Sequence, residues 1–278
     1  MSNHLLRLPG LKAAASRDLP SHLPPPFEDL HTARRDIGGG LMLSLNAPHE
    51  IVQRIASLYP KNARPIAVLA AHITSLNAYG DSNFRDSFNA ASATYVDGIS
   101  VKILAKSAGY PVEKLATADL APALIKAMTE RVGRRLRVAV IGGEEGIAKR
   151  AGDRLSHDIG VEIVFVAHGY QADWQSCLAR LTAFSPDVVI VGLGMPLEAV
   201  WCRAHAHELP KSVVLTCGGW LRILAREENR SPVLIQRLQL EWLFRLVKDP
   251  RRTARRYIHG IATLAMLCSR AALRRALD

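Results

Sequence analysis

Between Asp187 and Trp201 the chain reads Asp-Val-Val-Ile-Val-Gly-Leu-Gly-Met-Pro-Leu-Glu-Ala-Val-Trp. The β-branched run Val188 to Val191 predicts a strand buried on both faces. Gly192 and Gly194 then leave the backbone open to close approach, and Pro196 begins a helical pattern. A buried strand, a glycine turn and a helix start can together hold a phosphate through backbone N–H groups. An ordinary strand-turn-helix corner has the same spelling. Two more strand ends repeat the pattern, Gly142-Gly143 with Gly146 after Arg137 to Ile141, and Gly218-Gly219 after Ser212 to Thr216. Three glycine-rich ends in succession predict a nucleotide or nucleotide-sugar site along the carboxyl edge of a sheet.

Two side-chain groups add chemistry to that edge. Asp97, in the Asp97-Gly98 pair after the short strand Ala93 to Val96, can take a proton from an attacking hydroxyl if it faces the crevice. An Asp-Gly turn or a helix N-cap would use the same residue for local reasons. Tyr170, in His168-Gly169-Tyr170, can stack on a base or sugar, or simply pack.

The elements that must position these groups alternate. Strands are predicted at Pro65 to Ala71, Ala93 to Val96, Arg137 to Ile141, Val161 to Val166, Val188 to Val191 and Ser212 to Thr216. Helical patterns lie at Ala47 to Leu58, Ile99 to Ala108, Ala118 to Val132, Gly146 to about His157, Gln171 to Phe184 and onward from Pro196. Such alternation predicts an α/β fold with a mostly parallel sheet covered by helices on both faces. Residues 1–35, with Pro20, Pro24, Pro25 and Pro26, read as a variable arm, and 36–229 as the α/β core.

Composition narrows the partners. The chain has 278 residues, 49% of them hydrophobic, which supports a sizeable core. The four cysteines are scattered without a C-x-x-C pair, against a zinc site or disulfide framework. No signal-peptide core and no run of about 18 apolar residues is present. The net charge of +11 is concentrated in the last segment, where Arg245 to Asp278 holds nine basic residues and two Asp. That concentration predicts a local anionic partner. Tyr257 to Ser269 is uncharged apart from any protonated His259, and arginine blocks flank it. As a helix it would reach roughly 20 Å, short of a bilayer core of about 30 Å. It suits a helix lying on an anionic membrane, or one packed on its own domain or on a second subunit. Nucleic acid is not expected, because aromatics are sparse there and no reading motif appears.

The order of motifs is Asp97-Gly98, Gly142-Gly143-x-x-Gly146, His168-Gly169-Tyr170, Gly192-Leu-Gly194-Met-Pro196, Gly218-Gly219, Arg230-Ser-Pro232, Leu240-Glu241-Trp242-Leu-Phe-Arg245, Pro250-Arg-Arg252 and Arg256-Tyr257. This order resembles the WecG/TagA/CpsF glycosyltransferase family, glycosyltransferase family 26, over about residues 36–260. The resemblance implies a Rossmann-like core with a basic, membrane-binding C-terminal appendage, here 230–278. It also implies inverting, metal-independent transfer of a sugar from a UDP-sugar to a polyprenyl-diphosphate-linked saccharide. The work would be done at the cytoplasmic membrane face in a bacterium, for surface polysaccharide or wall polymer. No cofactor is expected beyond the UDP-sugar substrate, and a homo-oligomer stays open. Carried over residue by residue, Asp97 becomes the general base. Arg245, Arg252 and Arg255 or Arg256 become the appendage arginines that meet diphosphate. Gly142, Gly143, Gly146, Tyr170, Gly192, Gly194, Pro196, Glu198, Gly218 and Gly219 fall to the nucleotide and His72 to the substrate; Asn77, only 20 residues before Asp97, does not match the family motif and is a substrate contact by nearness alone.

The chain departs from the family pattern twice. Pro196-Leu197-Glu198-Ala199 stands where Pro-Lys-Gln-Glu is usual, and an ionised carboxylate accepts hydrogen bonds where an amide can also donate. Ala70-Ala71-His72 stands where the family has Thr-x-Asn or Asn-Ala-His. The departures leave three outcomes: an unusual donor or acceptor, substitution by a neighbour such as Asn77, or a fold kept in a non-catalytic membrane-associated assembly protein. A dinucleotide-dependent oxidoreductase is a weaker rival, since Gly142-Gly143-x-x-Gly146 lacks G-x-G-x-x-G spacing.

Overall fold

The computed structural model describes residues 25–277. The short strands β1 (Arg34–Asp36) and β2 (Met42–Ser44) form an antiparallel pair, followed by helix α1 (Pro48–Leu58) and strand β3 (Ile66–Ala71). Two short helices, α2 (Ile73–Asn77) and α3 (Ser82–Asn89), precede β4 (Ala93–Val96). Next come α4 (Ile99–Ser107), α5 (Thr117–Val132), β5 (Arg137–Gly142), α6 (Ile147–Ile159), β6 (Glu162–Ala167) and α7 (Trp174–Ala183). The core closes with β7 (Val188–Gly192), α8 (Leu197–Ala204), β8 (Val213–Thr216) and α9 (Trp220–Leu224). Helices α10 (Val233–Arg237), α11 (Glu241–Lys248) and α12 (Pro250–Leu277) complete the chain.

Six strands make one parallel sheet in the order β4-β3-β8-β7-β5-β6. Alternate side chains of each strand feed two cores. Leu69, Ile141, Val189 and Val214 meet Phe84, Val101, Leu104 and Trp201 on one face. Val68, Val140, Ile190 and Leu215 meet Ile55, Leu124, Leu155 and Leu221 on the other. Burial on both faces explains why the inner strands are unbroken apolar runs. It confirms the α/β, Rossmann-like architecture and leaves polar chemistry to the sheet's edges and ends.

The arm expected over 1–35 divides. Residues 1–24 lie outside the described residues. From Phe27 onward the chain is packed: Phe27 and Leu30 are buried in the two cores, and Arg34 donates from Nη1 to the carbonyls of Asn89 and Ala91. Proline content masked this packing, since the apolar anchors are single residues without a period.

The amino end of the sheet is tied by one carboxylate. Asp187 is 2% exposed and accepts from both Arg134 guanidinium nitrogens (2.7 and 2.8 Å), from Arg137 N–H (2.7 Å) and from Tyr59 hydroxyl. Burial pushes its pKa up, but the hydrogen bonds from Arg134, Arg137 and Tyr59 outweigh burial and hold it below the usual value.

Helix α12 is docked on α2 and α4. Tyr257, Leu267 and Ala271 are buried along it. Of the three alternatives read from the sequence, packing on its own domain therefore holds for one face, while Ile258, Ile261 and Leu273 on the helix stay exposed. The closest approach is at Gly260, where an added Cβ would stand 2.3 Å from Ile73 Cγ1. Asn77 Nδ2 donates to Arg256 O (3.0 Å) at the same junction.

Two outcomes are expected. Asp187→Asn should lower unfolding free energy by about 2–3 kcal/mol, less than for a wholly buried pair because Arg134 is half exposed. Because the folded pKa is depressed, Asp187's contribution is present above the unfolded value and lost as pH falls through the folded one. Denaturant titrations of wild type and variant should therefore converge on acidification. Gly260→Val should cost about 1–3 kcal/mol by overpacking against Ile73. Hydrogen exchange in α12 should rise while the sheet amides stay protected.

Candidate active site

The carboxyl ends of all six strands point to one side, as the parallel register requires. β3 delivers His72, β4 delivers Asp97, β8 delivers Gly218 and Gly219, and β7 delivers Gly192 to Pro196. Helices α11 and α12 overhang this edge, bringing Arg245 and Arg256 close enough to act electrostatically on His72, and Arg245 also on Asp97.

Asp97 is fixed from behind. Its N–H donates to Ala71 O (3.0 Å), which locks the end of β4 to the end of β3. Its Oδ1 accepts from Thr117 N–H (3.3 Å) and its Oδ2 from Thr117 Oγ1 (3.1 Å), at the first residue of α5. Since Thr117 gives its only hydroxyl proton to Asp97, the single Tyr95 hydroxyl proton is left to serve Thr117 Oγ1 (2.6 Å) or Thr216 O (3.4 Å). The local reading of Asp97 is thus half right: it caps a helix start, but across the chain at α5 and not at α4, which follows it. Each carboxylate oxygen keeps a second lone pair. Burial raises the pKa of Asp97, opposed by Arg245, Thr117 and Lys114. A raised pKa makes it a stronger base than a solvated aspartate.

His72 is held neutral. Burial, then the guanidinium groups of Arg256 and Arg245, push its pKa down to about 3. Thr74 Oγ1 is 2.6 Å from its Nδ1, so Nε2 is the nitrogen turned toward the edge. Asn77, read from sequence as a substrate contact, donates from Nδ2 to the Arg256 carbonyl and so holds α12, while its Oδ1 is buried without a partner. Arg255 is exposed on α12, and Arg252 lies on the same helix.

The glycines divide their work. Gly142, at φ +142°, has no room for a side chain: an added Cβ would lie 2.4 Å from Gly192 O. Gly143 N–H donates to Gly192 O (3.2 Å) and Gly169 N–H to Gly143 O (2.8 Å), so the loops after β5, β6 and β7 are stitched together by backbone. At Gly194 and Gly219 an added Cβ would meet nothing within 4 Å, so these face open space, while Gly146 has only the end of the Arg150 side chain beside it. Tyr170 is 41% exposed beyond β6, with its ring available for stacking.

Glu198 is the residue whose placement sequence reasoning did not foresee. It is fully buried on α8, and its Oε2 accepts from Gly194 N–H (3.1 Å) and Gly218 N–H (3.3 Å). Two N–H groups expected to cradle a phosphate are therefore already taken by this carboxyl group. Burial raises its pKa to about 8; the N–H groups of Gly194, Gly218 and Leu193 pull it down, and the Asp97 charge pushes it up. It therefore carries a proton at neutral pH.

Lys114 was also missed. It pairs with Glu241 at the start of α11 (3.4 Å) and bears on Asp97. It borders a cleft of about 270 Å³ between the start of α5 and helices α10 and α11, lined also by Lys102, Asp119, Arg237 and Gln239. Lys114 sits between elements with no period of its own. Only its parallel bridge to Val96 brings it to the edge.

The model of the family described as "Glycosyl transferase WecG/TagA/CpsF family" matches residues 39–277. An N-acetylglucosaminyldiphosphoundecaprenol N-acetyl-beta-D-mannosaminyltransferase of Bacillus spizizenii is 28% identical over 169 residues, 59% of this chain and 65% of that protein. A Staphylococcus aureus (strain MW2) protein of the same name is 30% identical over 89 residues, 32% of this chain and 35% of that protein. The matched part thus spans less than two thirds of the length of either relative.

Proposed function

Because the chain belongs to the WecG/TagA/CpsF glycosyltransferase family, we propose that it transfers a sugar from a UDP-sugar to a polyprenyl-diphosphate-linked saccharide, with inversion and without a metal. The observation that carries the reading is Asp97. It is a carboxylate made more basic by burial, fixed by Thr117 and faced by Arg245 at the mouth of the sheet. Direct displacement at an anomeric carbon needs a base for the acceptor hydroxyl's proton, and Asp97 fills that role. The bond from that hydroxyl oxygen to the anomeric carbon forms as the bond to the UDP oxygen breaks, and Asp97 takes the proton.

The departing diphosphate needs positive charge. Since Glu198 occupies the N–H groups of Gly194 and Gly218, Arg245 and Arg256 are the groups suited to meet it, by charge-assisted hydrogen bonds. Gly219, Gly194 and Tyr170 border the open part of the edge, which suits the nucleotide. The cleft beside Lys114, with Lys102 and Arg237, suits the acceptor's diphosphate. The relatives' names support the acceptor class, since both name an N-acetylglucosaminyl-diphosphoundecaprenol acceptor.

No helix among the described residues is long and apolar enough to cross a membrane. Val233, Leu234, Leu238, Val247, Ile258 and Leu273 on α10 to α12 are nevertheless all more than half exposed, and Arg251, Arg255 and Arg270 are exposed on α12. Apolar side chains bordered by arginines support peripheral attachment to an anionic bilayer, on the face where a lipid-linked acceptor resides.

The test is UDP release from a panel of UDP-sugars, with a polyprenyl-diphosphate-linked saccharide in anionic vesicles. Wild type should release UDP only when acceptor is present, EDTA should leave the rate unchanged, and the product should show inverted anomeric configuration. Asp97→Asn should lower the rate about 10²- to 10⁴-fold while UDP still binds. Absence of both turnover and UDP binding in wild type would leave the non-catalytic assembly role standing.

A further inference from the structure

Glu198 holds a polar atom with nothing to bind. Its Oε2 is shared by two backbone N–H groups, but its Oε1 is buried with no hydrogen-bond partner. A buried polar atom left unpaired is costly, and a ligand atom that pairs with it would relieve that cost. Space exists beside it. A Cβ on Gly218 would stand 3.8 Å from His72 Nε2 and 4.0 Å from Glu198 Oε1, with no other atom within 4 Å outside its chain neighbours. The missing side chain at Gly218 therefore opens a spot bounded by two side-chain polar atoms. One comes from the end of β3 and the other from α8.

The spot lies next to the proton-accepting carboxylate. Asp97 acts electrostatically on Glu198, and a Cβ on Gly98 would touch His72 Cβ at 3.2 Å. Asp97 takes the acceptor hydroxyl's proton within bonding reach of the anomeric carbon, so a ligand atom beside Gly218 lies near the donor sugar and not near the uracil base. We infer that Glu198 Oε1 and His72 Nε2 form the subsite for a polar substituent of the donor sugar, with Oε1–H donating a hydrogen bond to an acceptor oxygen of that sugar. This rests on the UDP-sugar reading of the site and moves Glu198 from the nucleotide to the sugar.

The surroundings favour a proton on Oε1. Facing Glu198 are Asp97 and Tyr95 from β4, Cys217 from the end of β8, His72 from the end of β3 and Cys202 from its own helix. Burial pushes the Tyr95 phenol and both thiols up, so they stay neutral, and His72 is neutral as well. The Asp97 charge acts on Glu198 and disfavours a second carboxylate. A carboxylic acid with one oxygen accepting and one donating presents the same pattern as a carboxamide. Sugar affinity should accordingly depend on a proton with a pKa of about 8.

The experiment is calorimetric binding of UDP, UDP-N-acetylglucosamine and UDP-N-acetylmannosamine to the full chain across pH 6 to 9.5, for wild type, Glu198→Gln and Glu198→Ala. At least one UDP-sugar should bind wild type with affinity that falls above about pH 8, approaching tenfold per pH unit. Glu198→Gln should bind it within about threefold of wild type at pH 7 and without that fall. Glu198→Ala should bind it at least about tenfold more weakly. UDP itself should bind wild type without that fall. An infrared carboxylic-acid carbonyl band at pH 7, present in wild type and missing from Glu198→Gln, would report the proton without any ligand. The wild-type pH profile also needs no variant to fold. If UDP and a UDP-sugar bind but the fall is absent, or persists in Glu198→Gln, the inference is overturned and the donor reading survives. If neither UDP nor any UDP-sugar binds wild type, both are overturned.

Discussion

Burial of the parallel sheet on both faces is the constraint from which the rest follows. Strands such as Ile66–Ala71 and Val188–Gly192 have their side chains sealed under helices, so they can offer chemistry only where they end. The parallel register puts those ends on one edge. His72, Asp97, Gly192 and Gly218, which are far apart in the chain, become neighbours because the strands carrying them stop together. The opposite edge carries the structural anchor, Asp187, where a carboxylate is fully satisfied by Arg134, Arg137 and Tyr59. One end of the sheet is thus closed electrostatically, and the other is left with unsatisfied groups.

The same physical effect, loss of water on burial, acts on three groups at the open edge with different results. It raises Asp97, raises Glu198 and lowers His72. The difference between the two carboxyl groups lies in their partners. Asp97 has cations, Arg245 and Lys114, and hydrogen bonds from Thr117 in its favour. Glu198 has backbone N–H groups on one oxygen, nothing on the other, and a negative neighbour. Two carboxyl groups whose surroundings push them apart can take different roles in one site, one as a base and one as a hydrogen-bond donor.

The C-terminal helices belong to the site and to the surface together. Helix α12 approaches the body at Gly260, is fastened by Asn77 to the Arg256 carbonyl, and brings Arg256 over His72. Trp242 of α11 meets Tyr257 of α12 edge-on, and Glu241 reaches Lys114. The inward face of this unit is therefore polar and cationic at the site and apolar against α2 and α4. Its outward face keeps Val247 and Ile258 exposed.

The sequence alone determined the strands, the helices between them and the carboxyl-edge location of the glycine turns. Each depends on local pattern: β-branched runs, helical period, and glycine where side chains do not fit. The order of motifs also determined the family, because those short pieces are specific in combination. Tertiary structure decided what each group faces. It fastened the Asn77 amide to α12, gave the Gly194 and Gly218 N–H groups to Glu198, and set Lys114 beside Asp97. It also packed Phe27 and Leu30, which a proline-rich stretch had concealed. These are contacts between residues tens of positions apart, fixed by strand order and helix docking. No local period records them, so a carboxyl group's charge state could be read only after its neighbours were in place.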